Sequence, residues 1–416
     1  MKSAWMGMLC CIVALKSFAQ YNDPNYAIPI EGYGSDGSHT VDIISIVNPN
    51  FQEQDIKIYY PADIGSKVPT LFYSHAYGGN FPSHVSGLLS FVARKGYAIV
   101  FVPYQTTGVS VAERYENLLA GFRKAARDYP EIIDTTKVGF LGHSFGGGAS
   151  FALAYKCFTE NNWGQDGRWI HSSAPWYSFE ITQEELQSFP SDTKLIIEIY
   201  ADDAVNDHRM AADIFTNINI AASEKDFLMV KSDTINGYIY YAGHDVPTNY
   251  NAFDALDYYA YYRLIDALCD YSFNGNVAGK AVALGNGSAD QITMPPGMRT
   301  LIQTDAPIVY RPENSFGFEC SAFGNPRNNY CGAVTPVYDP APSNSNISAY
   351  PNPFSSHIQL DHFDYPATYV LYSTSGQIVY SGSDVSNQDF SYLTPDLYFL
   401  RVVTAHSDNM LKLVKQ

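Results

Sequence analysis

A chain of 416 residues, 46% hydrophobic and 16% charged, is long enough to bury one large core and to carry a smaller unit beside it. With 42 acidic against 25 basic residues its formal charge is −17, so the attraction that drives binding to nucleic acid or to an anionic membrane is missing. Nucleic acid is therefore excluded as a partner.

Residues 1–19, MKSAWMGMLCCIVALKSFA, open with Lys2, continue with an apolar run from Ala4 to Leu15 and end in small Ser17 and Ala19. That run is too short to span a bilayer and reads as a secretory leader cleaved before Gln20, which leaves the mature chain without a transmembrane segment. Cys10 and Cys11 leave with it. The remaining cysteines, Cys157, Cys269, Cys320 and Cys331, are bound for an oxidising compartment, where four thiols allow three connectivities. Cys320 and Cys331, flanked by Gly, Asn, Pro and Arg in a loop-like stretch, are the favoured disulfide.

Residues 20–338 read as one α/β domain. The alternating runs 40–47 and 55–61 suit an antiparallel hairpin at a sheet edge. Apolar, strand-like runs then alternate with helical segments: strand 69–76, helix 88–96, strand 97–104, helix 112–130, strand 137–144, strand 169–177, strand 193–203, helix 208–218 and a last core strand at 226–232. A long helix over 252–271 closes the domain. Near-continuous apolar strands separated by helices predict a mostly parallel sheet with helices on both faces. Between Trp176 and Lys194 there is room for a loop and one short helix around 182–189, and none for a cap domain.

At residues 339–348, beginning DPAPSNSN, Pro, Ser and Asn replace the apolar pattern, and the stretch reads as a linker. Residues 349–416 form a separate tail. Its runs YVLYSTSGQIVYSG (369–382) and LYFLRVVT (397–404), with strand alternation around a Ser375-Gly376 turn, predict a small C-terminal β-sandwich.

Chemistry concentrates at GHSFG, residues 142–146. The pentapeptide recurs by chance, but here it joins the apolar strand KVGFL to the small-residue helix start GGGASFALAY. Ser144 thus stands on a sharp strand-to-helix turn, where Gly142 and Gly146 remove side chains that would collide with it.

With this turn in place, residues 39–270 resemble the α/β-hydrolase superfamily, whose nucleophile is followed in the chain by an acid and then a histidine. The resemblance implies Asp203, in the strand-end loop IEIYADDAVND, as the acid, with Asp202 the rival; Asp207 reads instead as a helix cap. It implies His244, in YYAGHDVPTN, as the base. Serine is a poor nucleophile at its own pKa, so a histidine must take its proton and an acid must orient that histidine. The oxyanion that forms needs N–H donors in place, expected from Phe145 and from Tyr77 in SHAYGG, which looks like the family's oxyanion loop with Ala76 replacing the usual glycine. His75 then reads as structural and His143 as packing or tuning.

His39, His84, His171 and His208 are scattered and show no ligand spacing, so no metal is expected. A phosphate loop and a dinucleotide fingerprint are both missing, so no cofactor is implied. SSAPWYS (172–178) is similar to the corresponding stretch of secreted cutinases and polyester hydrolases, which implies Trp176 and Tyr177, with Tyr77, as substrate contacts. YPNPF (350–354) and the strands after it resemble the C-terminal sorting domain of type IX secretion substrates, which implies that machinery as a partner. The expected protein is a secreted or surface-exposed serine hydrolase of a Gram-negative bacterium, cleaving carboxylic esters, bulky or polymeric ones included, through an acyl-enzyme. A peptidase on the same fold and a surface-binding protein without turnover are the alternatives.

Overall fold

In the computed structural model, residues 21–248, 253–307, 348–361, 367–373, 378–403 and 408–416 are described. Adjacent residues of the central strands point in opposite directions, and their burial explains the sheet. Leu71, Tyr73, Ile99, Phe101, Leu141 and Ile196 enter one apolar cluster, while Phe72, Val100, Phe140 and Ile197 enter another. A strand apolar at every position has to be covered on both faces. Each fully buried side chain of this size contributes about 1.5–3 kcal/mol, so the central strands hold the sheet between two helical layers.

The strands are β1 (Val41–Ile46), β2 (Ile56–Pro61), β3 (Val68–Ser74), β4 (Ala98–Phe101), β5 (Ile133–His143), β6 (Gly167–Ser173), β7 (Lys194–Tyr200) and β8 (Lys225–Val230). After β8 come a hairpin, β9 (Asp233–Ile235) and β10 (Tyr238–Tyr240), and then β11 (Ile302–Thr304). The large sheet runs β1-β2-β4-β3-β5-β6-β7-β8-β11, parallel from β4 to β8 and antiparallel at both edges.

The helices are α1 (Ser86–Arg94), α2 (Val111–Asp128), α3 (Phe145–Glu160), α4 (Gln183–Gln187) and α5 (His208–Asn217). The helix α2 begins where expected, on the reciprocal hydrogen bonds of Ser110 and Glu113 that satisfy its first donors. Between β6 and β7 lies only α4.

Two expectations need correcting. The run 226–232 is not the last strand of the sheet, because three residues at 302–304 add β11 antiparallel to it; so short a run carries too little periodicity to be read. The closing helix is not uniform: it starts as a π-helix over Leu256–Tyr262 and becomes α6 over Arg263–Asn274. The Asp254 carboxylate accepts from the Leu256 N–H and the Asp23 carboxylate from the Ala255 N–H, so one neighbouring and one distant acidic side chain satisfy its first donors.

The tail is a separate unit with its own core. A four-stranded antiparallel sheet, ordered β15 (Ile378–Gly382), β14 (Thr368–Ser373), β16 (Leu397–Val403) and β17 (Asp408–Val414), accompanies the pair β12 (Ser348–Tyr350) and β13 (Gln359–Asp361). Phe354, Ile358, Leu371, Phe390, Leu400 and Leu413 fill it. The YPNPF segment docks on β17: Asn352 donates to the Lys412 carbonyl and accepts from the Val414 N–H, both at 2.8 Å.

The expected leader 1–19, the linker apart from Ser348, the Cys320–Cys331 pair and the Ser375-Gly376 turn lie outside the described residues. Cys157 and Cys269 are buried free thiols. Among the described residues no helix is long and apolar enough to cross a membrane.

Candidate active site

Strand β5 ends at His143 and α3 begins at Phe145, so one residue must reverse the chain. Ser144 does so at φ 57° and ψ −119°, a backbone state that costs a residue with a side chain about 1–3 kcal/mol and persists only where its surroundings hold it. Here they do. The Ser144 N–H donates to the Ser173 carbonyl, and its own carbonyl accepts from Gly148 and Trp176. The glycines make the approach possible: a Cβ on Gly146 would stand 1.9 Å from the Ser74 carbonyl oxygen, and one on Gly142 2.3 Å from the Gly146 oxygen.

The Ser144 hydroxyl lies 3.0 Å from His244 Nε2. On the other side of the ring, His244 Nδ1 is 2.9 Å from Asp203 Oδ2. A carboxylate only accepts, so Nδ1 carries a proton and Nε2 is left to accept from the serine. Asp203 is fully buried, and its second oxygen accepts from the Val205 and Asn206 N–H groups at 2.8 and 3.2 Å. Burial opposes its ionisation, but hydrogen bonds from His208 and His244, the charge interaction with His244 and the Val205 N–H outweigh it and hold the carboxyl well below the usual range. Asp202 is exposed; its main chain instead ties the acid loop to the base loop, N–H to the Ala242 carbonyl and carbonyl to the Tyr241 hydroxyl.

His143 and His75 support these loops. His143 Nε2 meets the His244 carbonyl at 2.6 Å, and His75 meets the Ala76 carbonyl through Nδ1 and the Tyr104 N–H through Nε2. Burial pushes both imidazoles down to about 3, so they are neutral at pH 7.

A groove of about 530 Å³ opens over Ser144 and His244, with Tyr77, Gly78, Val205 and Thr248 in its lining. Tyr77 is 56% exposed and is steadied by its hydroxyl on the Thr106 carbonyl and by the Arg114 guanidinium over its ring. The Phe145 side chain is buried against Tyr104 and Tyr115. Its N–H is the first of α3 and has no intrahelical acceptor, at the helix end where the dipole favours negative charge.

The expected contact at Tyr177 is overturned. Its ring is 1% exposed and its hydroxyl donates to Asp207, because the chain turns inward after β6 to cover α3; Gly148 packs against the Tyr177 carbonyl. Trp176 is half-buried against Tyr177 and the same core, away from the groove lining. Asp207 caps α5 and binds Arg209 as well. Among the described residues no group of three His, Cys, Asp or Glu is placed to hold a metal ion.

Sequence reasoning passed over two contributors. Asn206 donates to the Ala174 carbonyl, joining the acid loop to the end of β6. His208 places Nε2 3.4 Å from Asp203 Oδ2, and the only hint in the sequence is its five-residue separation from that acid.

Residues 348–416 match the family described as the secretion system C-terminal sorting domain. Comparison with curated proteins gives no match. The sorting domain assigns the chain to type IX export, to the cell surface or beyond it, in Gram-negative bacteria of the Bacteroidetes, and makes that secretion machinery its partner.

Proposed function

We propose that the large unit is an α/β-hydrolase that cleaves carboxylic esters through a serine acyl-enzyme, with Ser144 as nucleophile, His244 as base and Asp203 as the acid that orients it. The observation that carries this reading is the unbroken relay Ser144 Oγ, His244 Nε2, His244 Nδ1, Asp203 Oδ2, with contacts of 3.0 and 2.9 Å, at the edge of a groove.

His244 Nε2 takes the hydroxyl proton as Ser144 Oγ bonds to the ester carbonyl carbon, and the buried Asp203 carboxylate stabilises the imidazolium. The carbonyl oxygen becomes an oxyanion, met by the Phe145 N–H at the positive end of α3 and by an N–H of the Ala76–Tyr77 segment. When the carbon–oxygen bond breaks, His244 returns the proton to the leaving alcohol. Water, deprotonated by the same nitrogen, then releases the acid and restores Ser144.

A groove without an inserted cap between β6 and β7, with exposed Tyr77 and Val205 in its lining, favours bulky or polymeric esters as well as small ones. Labelling with a fluorophosphonate tests the nucleophile: wild type is expected to label and Ser144→Ala is not. An ester and peptide panel then defines the bond cleaved. A folded wild type that neither labels nor hydrolyses any ester would overturn the reading.

A further inference from the structure

Asp203 is approached by two imidazoles. His244 Nδ1 comes from the loop after β10, and His208 Nε2, from the first residue of α5, reaches the same oxygen at 3.4 Å. Both rings are largely shielded and the acid is fully buried, so no bulk water competes for that oxygen. We infer that His208 is a second positioning residue, which donates through Nε2–H to Asp203 Oδ2, fixes the carboxylate's rotation and limits the charge it presents to His244. This rests on the hydrolase reading above.

The geometry leaves His208 a single role in this contact. A carboxylate accepts only, so the nitrogen facing it must carry the proton. The other oxygen is held by the Val205 and Asn206 N–H groups, which leaves Oδ2 to be shared by the two rings. Asp202 and Asp245, next to the two relay residues, are exposed to solvent, and the buried titratable groups nearby have other partners. Asp207 binds Arg209 and the Tyr177 hydroxyl, and His143, from the end of β5, is neutral and bound to the His244 carbonyl. Each donor to an anion withdraws part of its charge. Removing the His208 donor therefore leaves Asp203 more negative toward His244, favours the imidazolium and raises the pH at which His244 loses its proton.

The test compares wild type with His208→Leu, which has no donor, and His208→Gln, which keeps an N–H at similar reach; His208→Ala replaces the leucine variant if that one does not fold. The His244 imidazole is titrated by NMR in ring-labelled protein, assigned by its loss in His244→Ala, alongside kcat and KM for a p-nitrophenyl ester. The expected result for the donor-free variant is an upward shift of the His244 titration and of the acidic limb of kcat/KM. A fall in kcat of about three- to tenfold, the size of one ordinary hydrogen bond, accompanies it with KM little changed. His208→Gln restores most of both. An unshifted His244 titration in a folded donor-free variant, or a glutamine variant no better than leucine, would overturn the inference. A shifted titration in a protein without hydrolytic activity would uphold the coupling and sink the hydrolase reading instead.

Discussion

The imidazole of His143 holds the main-chain carbonyl of His244 at 2.6 Å, so the residue before the strained serine anchors the loop that carries the base. Neutral His143 must donate through Nε2–H, since a carbonyl only accepts. His143→Leu leaves a carbonyl without its donor beside the relay. It is expected to cost about 1–3 kcal/mol in urea unfolding and to lower kcat more than it raises KM. Unchanged kcat would confine His143 to packing.

Ser144→Ala, His244→Ala and the double variant are expected to lose ester hydrolysis to a similar extent, because residues that act as a unit are not additive. Asp203→Asn should cost far more than Asp202→Asn, since only Asp203 is buried against His244. Steady-state kinetics on purified, folded variants decide both comparisons. Equal losses at the two aspartates would contradict the geometry.

The buried imidazoles set a pH window. His75 and His143 titrate near 3 in the folded chain against about 6.5 when unfolded, so between those values the unfolded state binds more protons. Their neutral burial is compatible with full stability above pH 6.5, and stability is lost as pH falls toward 3, by about 1.4 kcal/mol per pH unit for each ring. Asp254, raised to about 6 by burial, works the other way, with its contribution present below about pH 4 and lost as pH rises through 6. Urea midpoints at pH 7 and pH 5 should therefore lie closer together in His75→Phe than in wild type.

Gly146→Ala is expected to destabilise by about 3 kcal/mol or more, because the added carbon meets backbone that cannot step aside. Gly65→Ala, where the same carbon meets nothing within 4 Å, serves as the control and should change the melting temperature little. Similar melting temperatures for the two would mean that the elbow is less tightly packed than its contacts imply.

Deletion of residues 340–416 should leave ester hydrolysis and the melting of the large unit intact, since each unit has its own apolar core. The shortened protein should accumulate in the periplasm of its host instead of reaching the surface or medium. Fractionation and immunoblotting read this out.

Periodicity and turn chemistry alone were enough for the sheet's parallel centre, the hairpin at its edge, the helical stretch that became α2 and the placing of Ser144 between strand and helix. These are local properties: each depends on apolar spacing or on a turn within a few residues. The separate β-rich tail was legible for the same reason. What only the tertiary structure decided are relationships across long stretches of chain. Which of two adjacent aspartates meets a histidine 41 residues later depends on which one the acid loop turns inward. Tyr177 was misread because a stretch between strands carries no mark of which aromatic turns toward the core, and here that ring closes over α3. His208 was passed over because a histidine at a helix start has no pattern of its own until the fold brings an ionised carboxylate to it. Local physics specifies elements and turns, whereas a site made from several loops is specified by the sheet that carries them.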